Sequence, residues 1–193
     1  MREKINTRDH IVDIATRLFF LQGYHATGLN QIIQESDAPK GSLYYYFPKG
    51  KEELAQVCIE QQRNYAAEIL RLNIMKSNDF VNGVQAFFLG LAKEIERQQF
   101  QGVAASCFWN AVETSCISNQ LRQACQDTFD LWNLILMERL QLEGLEREQA
   151  ESIAMGVISL LEGAFVLALT YRNAEPLINA AKIIPRLLTS EAK

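Results

Sequence analysis

At 193 residues, 48% hydrophobic and 22% charged, the chain is long enough to bury a substantial core and too apolar for a disordered tail. Four cysteines without a C-x-x-C pairing and only two histidines argue against a disulfide framework or a zinc site, and Met1 to Arg17 is polar and amphipathic rather than an export signal. The formal charge of -4 at first disfavours a nucleic-acid partner, but residues 1 to 51 carry seven Lys and Arg against five Asp and Glu, while the remainder carries twelve against eighteen.

Ile11, Ile14, Ala15, Leu18 and Phe19 recur at helical spacing behind Thr7, the expected N-cap, and predict a helix over about 7–22 that Gly23 stops. Leu29, Ile32 and Ile33 mark a second, short helix. The turn falls at Ser36-Asp37-Ala38, and a third helix is expected over about 39–46, opened by Pro39, whose fixed φ suits the first helical position. That third stretch combines Lys40, Gly41, Ser42, Tyr44, Tyr45 and Tyr46 on a surface that buries little, with Leu43 and Phe47, four apart, turned inward as anchors. Two short helices joined by a tight turn, the second polar and aromatic, describe a helix-turn-helix whose second helix enters the major groove. Residues 1–51 are therefore expected to form a DNA-binding domain and 52–193 a second, helical one.

From Lys51 the pattern becomes one long helix to about Lys76, with Leu54, Val57, Cys58, Tyr65, Ile69 and Leu72 as its apolar stripe. Asp79 is expected to cap a helix carrying Phe80, Val84, Phe87, Phe88, Leu91 and Ile95, and a shorter helix holds Phe108, Trp109 and Val112. Further helices are predicted at about 118–142, 147–172 and 175–189. Nothing reads as a strand, so the fold class is all-α. Ile153 to Tyr171 is nearly long and apolar enough to span a bilayer, but Glu162 at its middle and the lack of a basic flank favour a buried helix. With Gly156 and Gly163 permitting close approach and the apolar Leu177, Ile178, Ala181, Ile184 and Leu188 on the last helix, the final two helices are expected to form a homodimer interface. No membrane is expected as a partner, and the location is expected to be cytoplasmic.

Phe88, Phe108, Trp109, Phe129 and Trp132 are candidates to line a ligand cavity, against the simpler reading of plain core. Glu162 is either a satisfied interface carboxylate or a ligand-facing group. The nine-residue spacing of Cys107, Cys116 and Cys125 permits a redox sensor, against the simpler reading of buried thiols. No nucleophile with a base, metal constellation or phosphate-cradling glycine loop is found, so no catalytic residue, metal or cofactor is expected and the chain is not read as an enzyme.

Gly23-Tyr24-His25-Ala26-Thr27, Ile32, Lys40-Gly41-Ser42-Leu43-Tyr44-Tyr45-Tyr46-Phe47 and Lys51-Glu52-Glu53-Leu54 together resemble the TetR/AcrR family of transcriptional regulators over residues 7 to 58. Ala38-Pro39-Lys40-Gly41-Ser42 and the turn Phe47-Pro48-Lys49-Gly50-Lys51 look like its drug- and flavonoid-responsive LmrA/YxaF-like subgroup. The resemblance implies a three-helix reader joined by a long helix to a ligand-binding and dimerisation domain. It implies a homodimeric repressor on a near-palindromic double-stranded operator, released by a small hydrophobic or aromatic inducer. The alternative is a DNA-binding regulator without an inducer, controlled by a protein partner or by redox state.

Each residue of the reader has a physical duty. Gly41 lets backbone approach a base edge or phosphate, Ser42 offers a donor, and Lys40 at the helix start reaches a guanine's acceptors. Tyr44 and Tyr45 set hydroxyls on phosphates. By family analogy Asn30 faces DNA and Lys51 neutralises a phosphate. Three positions depart from the family pattern: Gly28 stands where a Ser or Thr N-cap is frequent, Asp37 where glycine is usual, and Tyr46 where histidine is frequent.

Overall fold

The computed structural model describes residues 6–100 and 118–189. Among them the regular structure is wholly helical: α1 (Thr7–Gln22), α2 (Leu29–Glu35), α3 (Lys40–Tyr46), α4 (Lys51–Lys76), α5 (Phe80–Arg97), α6 (Asn119–Leu142), α7 (Arg147–Tyr171) and α8 (Glu175–Thr189). The predicted helix around Phe108, Trp109 and Val112 lies outside the described residues.

Local chemistry accounts for most helix ends. The N-cap of α1 is Asn6 rather than the expected Thr7. Asn6 is extended and its side-chain oxygen accepts the Arg8 amide at 3.2 Å, which leaves Thr7 as the first helical residue. Gly23 ends α1 at φ 84°, a conformation that favours glycine. Asp37, in the usual glycine position, is left-handed at φ 49°, which a short polar side chain tolerates. Pro39 is the N-cap of α3 rather than its first residue. Its ring sets φ at -56° but ψ is 136°, so the helix starts one residue later. Asp79 caps α5 by accepting the Asn82 amide at 2.8 Å.

The described chain divides into two compact units. One comprises the described residues up to Arg63 with those from Ser118 to Asp127; the other holds the rest, so α4 and α6 each contribute to both. In the first unit α1 packs on α2 and α3. Its core joins Ile11 and Leu18 of α1, Ile32 of α2, Leu43 of α3, Leu54 of α4 and Leu121 of α6. Thr27, wholly buried, sets its hydroxyl 2.8 Å from the Gly23 carbonyl and 3.2 Å from that of Leu18, which pins the α1–α2 loop to the end of α1. An Arg17–Glu35 ion pair at 2.5 Å ties α1 to α2.

In the second unit α8 packs against both α5 and α7. The buried line of α4 there is Ala66, Ala67, Leu70 and Ile74, while Tyr65 and Leu72, expected on the apolar stripe, are 60% and 45% exposed. The small alanines bring neighbouring helices close, and the larger residues beside them are turned outward. Where α4 meets α5 the approach is extreme: a Cβ on Gly83 would sit 2.8 Å from the Ile74 Cα. Arg139 of α6 closes the turn between these helices, donating to the Asn78 carbonyl at 2.8 Å and to Glu143, which also accepts the Phe80 amide. By length and composition α7 would cross a membrane, yet half of its most apolar stretch is buried within the protein.

Cys58 and Cys125 are both buried in the core of the first unit. Burial pushes the Cys58 thiol up to about 12. The neutral thiol is therefore favoured by folding, and this contribution is lost as pH rises from about 9 towards about 12, where the unfolded chain ionises first. Cys58 is expected to resist iodoacetamide at pH 8 in the native protein and to react at the ordinary thiol rate in denaturant, read by peptide mass spectrometry. Native labelling at the unfolded rate would contradict the burial.

Candidate functional site

The short helix α3 is the most exposed aromatic element of the first unit, because its sequence divides its two sides. Leu43 and Phe47 are 0% and 1% exposed and hold it to the core; Tyr44 and Tyr45 are 45% and 79% exposed. Lys40 and Gly41 are exposed at its start, Ser42 is half-buried, and the Ser42 amide donates to the Pro39 carbonyl at 2.8 Å. Tyr46 departs from its neighbours: half-buried, it packs against the core and meets Tyr45 edge-on at 5.1 Å. Its ring braces the outward Tyr45 from the side. Asn30 is exposed on the first turn of α2.

Lys51, at the start of α4, is half-buried. Its ammonium lies 4.4 Å from the centre of the Tyr24 ring and donates to the His25 carbonyl at 3.5 Å. Burial, and then the negative charge of Glu52, raise the Tyr24 phenol, so the ring under this cation stays neutral. Arg8 supplies a further positive group: its guanidinium stands 5.7 Å from the Phe47 ring. The sequence reading did not single out Arg8. An aromatic anchor following a basic first turn was the available signal, but no local spacing pairs residues 8 and 47.

In the second unit a cavity of about 320 Å³ opens between α4, α5 and α7. Ile69 and Asn73 of α4, Phe87, Glu94 and Gln98 at α5, and Leu161 of α7 are among its walls. Phe88 and Trp132 are instead buried side chains, 0% and 2% exposed, and Phe129 meets Trp132 edge-on at 6.0 Å. Glu162 is 9% exposed on α7. None of these four is among the residues that line the cavity. Phe108 and Trp109 lie outside the described residues. The lining positions follow one helical face, Tyr65, Ile69 and Asn73 on α4 and Phe87, Leu91, Glu94 and Gln98 at α5. Periodicity marks that face of each helix but does not say that a void lies against it.

A second, shallow concavity of about 540 Å³ runs along α7 and α8, walled by Leu160, Gly163, Ala164 and Leu167 with Ala180 and Ile183. A Cβ added at Gly163 would meet nothing within 4 Å. Leu167, Tyr171 and Ile183 are each more than 40% exposed and form an apolar strip along these two helices.

Residues 11–58 match the family model described as bacterial regulatory proteins of the tetR family, and residues 81–183 match that of the LmrA/YxaF-like transcriptional regulator carboxy-terminal domain. The chain is 38% identical over 184 residues to the HTH-type transcriptional regulator LmrA of Bacillus subtilis (strain 168), covering 95% of this chain and 97% of that one. It is 36% identical over 189 residues to the regulator YxaF of the same organism, covering 97% and 98%. A TetR transcriptional regulator from Legionella pneumophila, known from its crystal structure, shares the fold with a TM-score of 0.82 at 22% identity, over 95% of this chain and 98% of that one.

Proposed function

We propose, from the premise that this chain belongs to the TetR family of bacterial regulatory proteins and carries an LmrA/YxaF-like carboxy-terminal domain, that it is a homodimeric cytoplasmic repressor released from its operator by a small molecule. The chain is a DNA-binding transcriptional regulator and not an enzyme. The observation that carries the assignment of the DNA-contacting face is the two-sided α3. Leu43 and Phe47 anchor it, so Lys40, Gly41, Tyr44 and Tyr45 face outward at no cost to the core. Ser42, Tyr46, Asn30 and Lys51 complete the proposed contact set, within a reader taken as residues 1–51.

Two such helices related by a twofold axis fill successive major grooves when they stand about 34 to 36 Å apart. The second copy is proposed to seat on the apolar strip of α7 and α8, whose small Gly163 and Ala164 admit a close helix. Leu167→Glu places a charge in that strip on an already exposed side chain, so the monomer's fold is spared. Sedimentation at micromolar protein should show a dimer for wild type and mostly monomer for the variant. An unchanged dimer would move the interface elsewhere.

The proposed switch is a population shift carried by α4, which gives Leu54 and Cys58 to the core of the first unit and Ile69 and Asn73 to the cavity wall. A ligand that favours one placement of α4 lowers operator affinity by about 1 to 3 kcal/mol, and operator lowers ligand affinity by the same factor. Footprinting on the protein's own promoter tests the reader. Two protected patches one helical turn apart are expected, and an unprotected promoter would overturn the reading.

A further inference from the structure

A short turn ties the start of α4 to the end of α3 and fixes the main chain at Lys51. The Phe47 amide donates to the Leu43 carbonyl at 2.8 Å and the Gly50 amide to the Phe47 carbonyl at 2.9 Å, with Gly50 at φ 76°. Glu53 reaches back to accept the Lys49 amide at 2.9 Å, which closes the first turn of α4 on itself. Backbone position is thereby settled, but a lysine stem has among the largest rotamer entropies of any side chain. The ammonium is fixed by a different element, the loop that follows α1.

Tyr24 presents its ring to that ammonium at 4.4 Å, and the His25 carbonyl accepts from it at 3.5 Å. The ring is itself held in place. Phe19 lies against it at 5.7 Å, His25 meets it edge-on at 5.7 Å, and Thr27 locks the loop to the end of α1 through the Gly23 carbonyl at 2.8 Å. A ring face and a carbonyl attract a cation without neutralising it, because neither carries a net charge. Burial and then the Glu52 charge raise the Tyr24 phenol, so tyrosinate, which would cancel the ammonium, does not form at neutral pH. Glu52, the adjoining carboxylate, accepts from the Ser118 hydroxyl ahead of α6.

We propose that Tyr24 is a positioning residue for operator binding: its ring fixes the Lys51 ammonium at the head of α4, set for a DNA phosphate, and so lowers the side-chain entropy lost when the duplex arrives. This role of Tyr24 rests on the placement of Lys51 in the contact set above and adds a residue that does not itself touch DNA. A cation–ring contact is sensitive to the electron density of the ring rather than to its bulk. A ring that merely filled the space between Phe19 and Lys51 would serve equally well with its quadrupole reversed.

Fluorescence anisotropy of the full-length protein with the promoter duplex protected in footprinting, over a salt series, reads this directly. Wild type is compared with Tyr24→Phe and with Tyr24→pentafluorophenylalanine, whose ring has a similar shape and an inverted quadrupole. Both replacements keep an aromatic ring against Phe19, so the fold is spared. Each is also made together with Lys51→Met, which keeps the stem and removes the charge. Tyr24→Phe is expected to bind within about twofold of wild type, since the ring face remains. The pentafluoro ring should bind about three- to fivefold more weakly per protomer, the factor a cation–ring contact open to water is worth, with the salt slope unchanged. Lys51→Met should lower the slope of log affinity against log salt by about one per protomer, and in that background the two rings should bind alike. Equal binding by the two rings beside Lys51, or a difference between them that persists with Lys51→Met, would overturn the positioning role. Tighter binding by the pentafluoro ring would overturn it too, because the ring would then be competing with phosphate for the ammonium. A Lys51→Met variant with wild-type affinity and slope would instead remove Lys51 from the contact set, and the role of Tyr24 with it.

Discussion

Tyr44→Ala and Lys40→Ala are each expected to lower operator affinity by about 10- to 100-fold while leaving thermal stability and dimerisation unchanged. Both side chains point away from the core: Tyr44 is 45% exposed and Lys40 is exposed at the start of α3. Removing them therefore subtracts the proposed contacts to DNA and little else. Leu43→Ala is the opposite case, since Leu43 is 0% exposed and its loss opens a cavity worth about 2 to 5 kcal/mol under the same helix. Fluorescence anisotropy across a salt series separates the roles further. If Lys40 meets a phosphate, the slope of log affinity against log salt falls by about one on its removal, whereas a base contact leaves the slope and relaxes sequence preference. Two alanine variants that hold operator as wild type does would remove α3 from the interface.

Gly83→Ala is expected to destabilise the protein by about 2 to 3 kcal/mol, because one added methyl has nowhere to go. Its Cβ would lie 2.8 Å from the Ile74 Cα and 3.1 Å from the Asn73 carbonyl oxygen. Both are backbone atoms, so no rotamer change relieves the clash. Nor is the start of α5 free to back away, since Asp79 caps it and Glu143 accepts the Phe80 amide. For a chain of this size the penalty corresponds to a fall of about 5 to 10 °C in Tm. Gly90→Ala, on the same helix with open space around it, should be neutral or stabilising by up to about 1 kcal/mol, from helix propensity alone. Calorimetric melting of the pair decides the matter: equal Tm values would mean that α4 and α5 do not cross at Gly83.

Helix limits were legible because they are set within a few residues of where they occur. Asp79 offers its carboxylate to an amide three positions on, and Gly23 reaches a backbone angle closed to most residues. The two-sided α3 was legible for the same reason: Leu43 and Phe47 share one face, and the residues between them cannot. Expectation and structure differ by one residue at Asn6 and Pro39, where neighbouring residues compete for the cap and only the backbone angles decide.

The cavity was not legible in that way. Phe88 and Trp132 were natural candidates for a ligand wall, yet both are buried side chains outside the lining of the 320 Å³ cavity, which falls instead beside Phe87, Glu94 and Gln98. Adjacent residues on one helix, Phe87 and Phe88, differ by about 100° of rotation, and their own periodicity favours neither for a void.

By itself, then, the amino-acid order determined a helical regulator with a two-sided aromatic helix at its front, since capping, periodicity and turn chemistry act over a handful of neighbours. Tertiary structure alone decided that Gly83 meets Ile74, that Arg8 stands over Phe47, and that the cavity opens beside Phe87 rather than Phe88. Contacts and voids of this kind arise from how separate helices fill space together, and no single helix encodes the space its neighbours leave.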